Sequence, residues 1–154
     1  MFMSSRRNRS PKKGAAVVEM ALALSLFLTL ILGFVDLGYG VFRQHVLSQA
    51  ARQLARQAIV RGQLADRLST WGPGQISMTA NEVNEIGEFI APKLVGWNLN
   101  EVKVDVIWID DGNDARNGNR VFVEMTAPYR PIMTFIFGNP SFDLRATSTM
   151  FVAH

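Results

Sequence analysis

Cysteine is absent from the 154 residues. Its absence excludes disulfide bridges, thiol catalysis and cysteine-ligated metal. It leaves the redox compartment unread, because an extracytoplasmic domain can use disulfides without needing them. Histidine is almost as scarce: His45 and His154 are the whole supply. They lack the paired-histidine or Cys/His spacing of a zinc site. No serine stands in a Gly-x-Ser-x-Gly setting, and no glycine-rich phosphate loop occurs. The chain is therefore expected not to be an enzyme, and to hold no cofactor and no metal. Acid is missing from the first eighteen residues, and charge of either sign is missing from Met20 to Val35. The first gap gives a basic N-terminus, and the second gives a long apolar run.

The basic stretch carries Arg6, Arg7, Arg9, Lys12 and Lys13 and ends at Gly14. Without these five charges the formal net charge of +3 becomes −2. The basicity is thus a topology signal and not a nucleic-acid footprint, and no nucleic-acid partner is expected. Counted from Ala15, the apolar run is about 21 residues, or roughly 31 Å as a helix, close to the hydrocarbon thickness of a bilayer. Asp36 closes it on the far side. The positive-inside rule puts the leader in the cytoplasm and the remainder across the membrane.

Three readings compete for this segment. A cleavable secretory signal has a small-x-small site at Gly38-Tyr39-Gly40, but its apolar core is usually 7–15 residues. A plain signal anchor fits the length. A prepilin-type segment also accounts for Gly14 and for Glu19, five residues past that glycine. An ionisable group beside an apolar span is costly and by default marks a functional site.

Helical periodicity continues beyond the span. Val46, Ala50, Leu54 and Ala58 form one i, i+4 column, and Leu47, Ala51, Ala55 and Ile59 the next. Gln49, Arg52, Gln53 and Arg56 fall off the stripe, as a solvated face. Arg61-Gly62 marks a helix end, and Gly33, Gly38 and Gly40 mark possible bends. Trp71-Gly72-Pro73-Gly74 is a turn signal. Thr79-x-x-Glu82 looks like a capping box for a short helix with Val83, Ile86, Phe89 and Ile90 on its apolar face, stopped at Pro92.

The last third alternates with period two. Val102, Val104, Val106 and Trp108 share one face, as do Val121, Val123 and Met125, and then Phe142, Leu144, Ala146, Ser148 and Met150. Asp110 to Asn119 reads as a polar hairpin loop. Its acids lack the spacing of a calcium loop, so a plain turn is favoured. Ile132 to Phe137 is an apolar patch whose default is burial against the sheet. The expected fold class is α+β. A long N-terminal transmembrane helix continues into an amphipathic helix, packed on a small antiparallel β-sheet. The expected divisions are a leader at 1–14, a transmembrane helix at 15–36, a helix extension at 37–62 and an extracytoplasmic α+β domain at 63–154.

The layout at Gly14-Ala15-Ala16-Val17-Val18-Glu19 resembles the leader junction of a type IV prepilin. More narrowly, the chain resembles the TadE-like family, minor pilin-like proteins of tight-adherence (Flp) pilus systems. Three blocks carry the likeness: that opening, Leu47-Ser48-Gln49-Ala50-Ala51-Arg52-Gln53-Leu54-Ala55-Arg56, and Phe142-Asp143-Leu144-Arg145-Ala146-Thr147-Ser148-Thr149-Met150. Met20 stands where the family commonly has an aromatic residue, and the apolar segment lacks a proline often seen there.

The resemblance implies a pilin-like fold and cleavage by a prepilin peptidase between Gly14 and Ala15. It also implies insertion in the bacterial inner membrane with the C-terminal domain periplasmic, and an assembly role for Glu19. The implied partners are the peptidase, the major Flp pilin, other minor pilins, the inner-membrane assembly platform and the lipid bilayer. The implied function is that of a minor pilin or pseudopilin in assembly of an adhesive pilus. The alternative is an anchored periplasmic scaffold or binding component of a secretion apparatus that never enters a filament.

Overall fold

The structure is a computed structural model. It describes residues 13–61, 71, 74–109, 120–133, 138 and 141–152, with the Lys13 side chain outside that set. Helix α1 (Lys13–Val60) is a single α-helix of 48 residues. At 1.5 Å per residue it is about 72 Å long. The glycines at 33, 38 and 40 do not interrupt it. Glycine permits a bend but does not force one, and no proline removes a backbone donor within the helix. At Gly40 the missing side chain has a use. A Cβ there would lie 3.4–3.5 Å from the Tyr129 ring, which packs close against the helix.

The two halves of α1 differ in what they meet. Residues 14–32 are exposed throughout, Leu22, Leu26 and Phe27 among them. Ser25 and Thr29, the hydroxyls of this stretch, donate to the carbonyl oxygens of Leu22 and Ser25 at 2.9 and 2.8 Å. Hydroxyls paired back onto their own helix suit an environment without water. Among the described residues, α1 is the one helix long and apolar enough to cross a membrane. Its second half buries Leu47, Ala50, Ala51, Leu54, Ala55 and Ala58 of the two expected columns, while Val46 and Ile59 at their ends are partly buried. Gln49, Arg52, Gln53 and Arg56 are exposed.

The sheet is a meander of four antiparallel strands in the order β1-β2-β3-β4. They are β1 (Gln75–Thr79), β2 (Lys103–Ile109), β3 (Arg120–Tyr129) and β4 (Phe142–Phe151). The alternation read from the sequence sets the buried face. Val104 lies opposite Met125, Val106 opposite Val123 and Trp108 opposite Val121, and all six are fully buried. Ala146 and Ser148 continue that face on β4. The second half of α1 lies over β3 and β4. The joining loop 110–119, including the considered calcium ligands, lies outside the described residues.

Two features depart from the expectations. Strand β1 was not anticipated, because five residues with only Ile76 and Met78 inward give too short an alternation. The short helix starts later than Thr79. The Glu82 carboxylate accepts from the Thr79 N–H at 2.9 Å, so half of the capping box forms, but Thr79 ends β1. Helix α2 (Glu85–Ile90) is capped by Asn84, whose Oδ1 accepts from the Gly87 N–H at 2.7 Å. The Glu82 carbonyl folds onto Gly87 so tightly that a side chain there has no room. Val83 is left 92% exposed, while Ile86 and Ile90 are buried. Pro92 lies in the 3₁₀ turn that closes α2.

The C-terminal end of α1 is tied to α2. Arg61 pairs with Glu85 and stacks over the Trp71 ring at 4.6 Å, and Trp71 Nε1 donates to Glu85 at 3.2 Å.

Candidate functional site

The residues singled out in the sequence sit together at the start of α1. Gly14, Ala15 and Glu19 are all exposed. A Cβ built on Gly14 meets nothing within 4 Å, so the surrounding space is open. Ala15 and Glu19 are four residues apart on one helix, which puts them on the same face, one turn apart. Among the described residues, no hydrogen bond or ion pair engages the Glu19 carboxylate. The exposed apolar surface continues from here to Phe34 and Val35, 72% and 55% exposed.

A second cluster, at the other end of the apolar stretch, was not recognised in the sequence. Asp36 is half-buried and joins α1 to the end of β3. Tyr129 Oη donates to Asp36 Oδ1 at 2.6 Å and lies 3.0 Å from its main-chain carbonyl oxygen. The N–H of Ile132 donates to Oδ1 at 3.0 Å, and that of Met133 to Oδ2 at 3.2 Å. The carboxylate thus clasps the turn after β3 through three donors. Tyr129 is buried beneath it. Burial, then the hydrogen bond to Asp36 and the charge of that group, push the phenol up to about 12, against the opposing effect of Arg43.

The next turns of α1 extend the clasp. Arg43 donates to Tyr39 Oη at 2.8 Å, and its guanidinium lies 4.9 Å from the Tyr39 ring centre and 4.5 Å from that of Trp97. Stacked guanidinium and aromatic faces attract electrostatically. Gln44 Nε2 donates to the Arg145 carbonyl oxygen at 2.9 Å, covering part of the open edge of β4. A signal for Asp36 existed, since an acid ending an apolar run is unusual. Its partners lie 93 to 97 residues away and two are backbone groups, which no pattern in the sequence announces.

Beside the clasp runs an apolar groove of about 980 Å³. Leu30, Phe34, Leu37 and Val41 of α1 form one wall, and Met133 and Phe142 stand on the other. Of the apolar patch expected to be buried, Met133 is buried but Ile132 is 56% exposed, and residues 134–137 lie outside the described set. Among the described residues, no group of three or more potential metal-ligating side chains occurs. His45 is exposed, and His154 lies outside the described residues.

A family model described as "TadE-like protein" matches residues 14–56. The match runs from the exposed start of α1 through the face that packs on the sheet. The terminal block Phe142 to Met150 lies beyond it. No curated protein matches the chain, and no solved structure does.

Proposed function

We propose that this chain, TadE-like over residues 14–56, is a minor pilin or pseudopilin that assists assembly of a tight-adherence pilus. The family match over residues 14–56 supports involvement in a tight-adherence pilus system. One observation carries the finer reading. The matched segment begins at an exposed glycine, and five residues on it holds an exposed glutamate on an uncovered apolar helix. A static anchor has no use for that glutamate. A helix cut at Gly14 gains an ammonium at Ala15 one turn from Glu19, and that ammonium can pair with Glu19 of a neighbour. Five leader cations support a cytoplasmic N-terminus and a periplasmic sheet domain. The partners on this reading are a prepilin peptidase, the major pilin, other minor pilins and the assembly platform.

The experiment is removal of the chain from its host, followed by return of the intact sequence. Loss of sheared surface fibres on removal, and their recovery on return, is the expected result. Fibres unchanged by the removal would contradict a pilus role. A domain that is periplasmic makes a periplasm-only reporter active when fused after His154, and silence from a stably expressed fusion would overturn the orientation.

A further inference from the structure

We infer that the membrane-embedded surface does not stop at Asp36, and that the base of the sheet domain is a lipid-binding surface seated in the outer face of the bilayer. The helix wall of the groove starts at Thr29 and Leu30, inside the apolar span, and continues past Asp36 to Val41. Leu37 and Val41 are 70% and 71% exposed, and with Leu30 and Phe34 they make a contiguous exposed apolar patch, which marks an interaction surface. Facing them across the groove is Phe142, 56% exposed, at the start of β4. The apolar surface is therefore continuous from the span onto the domain, across two segments far apart in sequence.

An aspartate in the middle of such a surface is normally an obstacle. Here its oxygens accept from Tyr129, Ile132 and Met133, three of the roughly four bonds a carboxylate can take. Those bonds lower, without removing, the cost of holding a charged group beside hydrocarbon, and they keep it turned into the chain. Asp36 then serves as an internal clasp and not as the membrane boundary.

The boundary lies about one to two turns further out. Each of three chain segments passes from apolar residues to an arginine there: Val41 and Phe42 to Arg43, Ile132 and Pro131 back to Arg130, and Phe142 and Leu144 to Arg145. Asp143 shares that border. Arg130 and Arg145 are exposed there in ion pairs with Glu101 and Glu124, and Arg43 stacks on Tyr39 and Trp97. A charged border of both signs above an apolar base matches the polar headgroup zone above acyl chains. This pattern, and the continuity with the span, select lipid as the occupant of the groove over the helix of a second subunit. The inference does not depend on a pilus role, since any protein anchored by α1 would show it.

The absence of cysteine makes the test clean. Single variants Leu30→Cys, Val41→Cys, Phe142→Cys and Thr149→Cys of the full chain are labelled with an environment-sensitive fluorophore. They are reconstituted into vesicles of phosphatidylethanolamine and phosphatidylglycerol carrying a nitroxide-chain phosphatidylcholine. Labels at 41 and 142 are expected to shift to the blue and to be quenched at least half as strongly as the label at 30, while the label at 149 stays water-like. Should Phe142→Cys disturb the fold, as judged by tryptophan emission, Ile132→Cys replaces it. Labels at 41 and 142 that match position 149 would overturn the proposal. So would blue-shifted labels that escape lipid quenching and depend on protein-to-lipid ratio, because that pattern means a second copy fills the groove.

Discussion

Glu19→Ala is expected to leave membrane insertion and removal of the leader largely intact and to abolish or severely reduce surface fibres. The side chain is exposed in the single chain, so its loss removes no contact that holds the fold. On the proposed reading its value lies in a subunit interface, where the Ala15 ammonium of one processed chain would meet the Glu19 carboxylate of the next among apolar helices. In such surroundings the attraction is stronger than in water, although desolvation offsets much of it. Removing one partner leaves the other charge buried and unpaired, a loss of about 3–5 kcal/mol per pair. A loss of that size, repeated at each contact, is incompatible with a stable fibre. A glutamate solvated by headgroups would instead cost little to remove and would slightly favour insertion. Leader removal, membrane retention and sheared fibres are the three readouts. Wild-type fibres from a processed Glu19→Ala chain would transfer the preference to the static anchor.

Asp36→Ala is expected to loosen the domain from its helix. The variant removes the carboxylate acceptor of the Tyr129 hydroxyl and of two backbone N–H groups. Loss of a charged acceptor beneath a buried hydroxyl costs about 1–3 kcal/mol, and the main-chain carbonyl 3.0 Å from Tyr129 Oη limits it toward the lower end. The thermal midpoint of the detergent-solubilised full chain should fall accordingly, with Asp36→Asn intermediate because an amide offers one acceptor oxygen instead of two.

A second readout is specific to the clasp. The phenol of Tyr129 is raised from 10.0 to about 12. A raised acid favours its neutral form in the fold. This contribution is therefore complete below pH 10 and fades as pH climbs through 12. In Asp36→Ala the Tyr129 ionisation should move part of the way back toward 10, with burial retaining the rest. A difference titration against Tyr129→Phe isolates it. An unchanged midpoint together with an unchanged titration would show that the clasp does not hold the domain.

What was legible beforehand divides along physical lines. The span, the columns on α1 and the alternating faces of β2, β3 and β4 all arise from burial repeated at a fixed period. Leu47, Ala51 and Ala55, or Val104 and Val106, declare their side by spacing alone. Strand β1 was hidden because its register is set by pairing with β2, Met78 opposite Val104, and not by its own short pattern. The start of α2 was misplaced because Thr79 and Asn84 both carry capping chemistry. Strand pairing decided between them, because Thr79 lies opposite Lys103 in the sheet and the next N–H, of Ala80, donates to the Val102 carbonyl oxygen. At the start of α1 the three expected residues occupy one exposed end, as local spacing requires. The Asp36 clasp and the groove depend on Tyr129 and Phe142 arriving from another part of the fold, and only the structure brings them there.

The central claim is that α1 is a prepilin-type helix processed at its exposed N-terminal turn. The intact mass of the protein extracted from its native membrane tests it most directly. A chain beginning at Ala15 is the predicted result. A mass that retains residues ahead of Gly14, or a chain beginning near Val41, would contradict it.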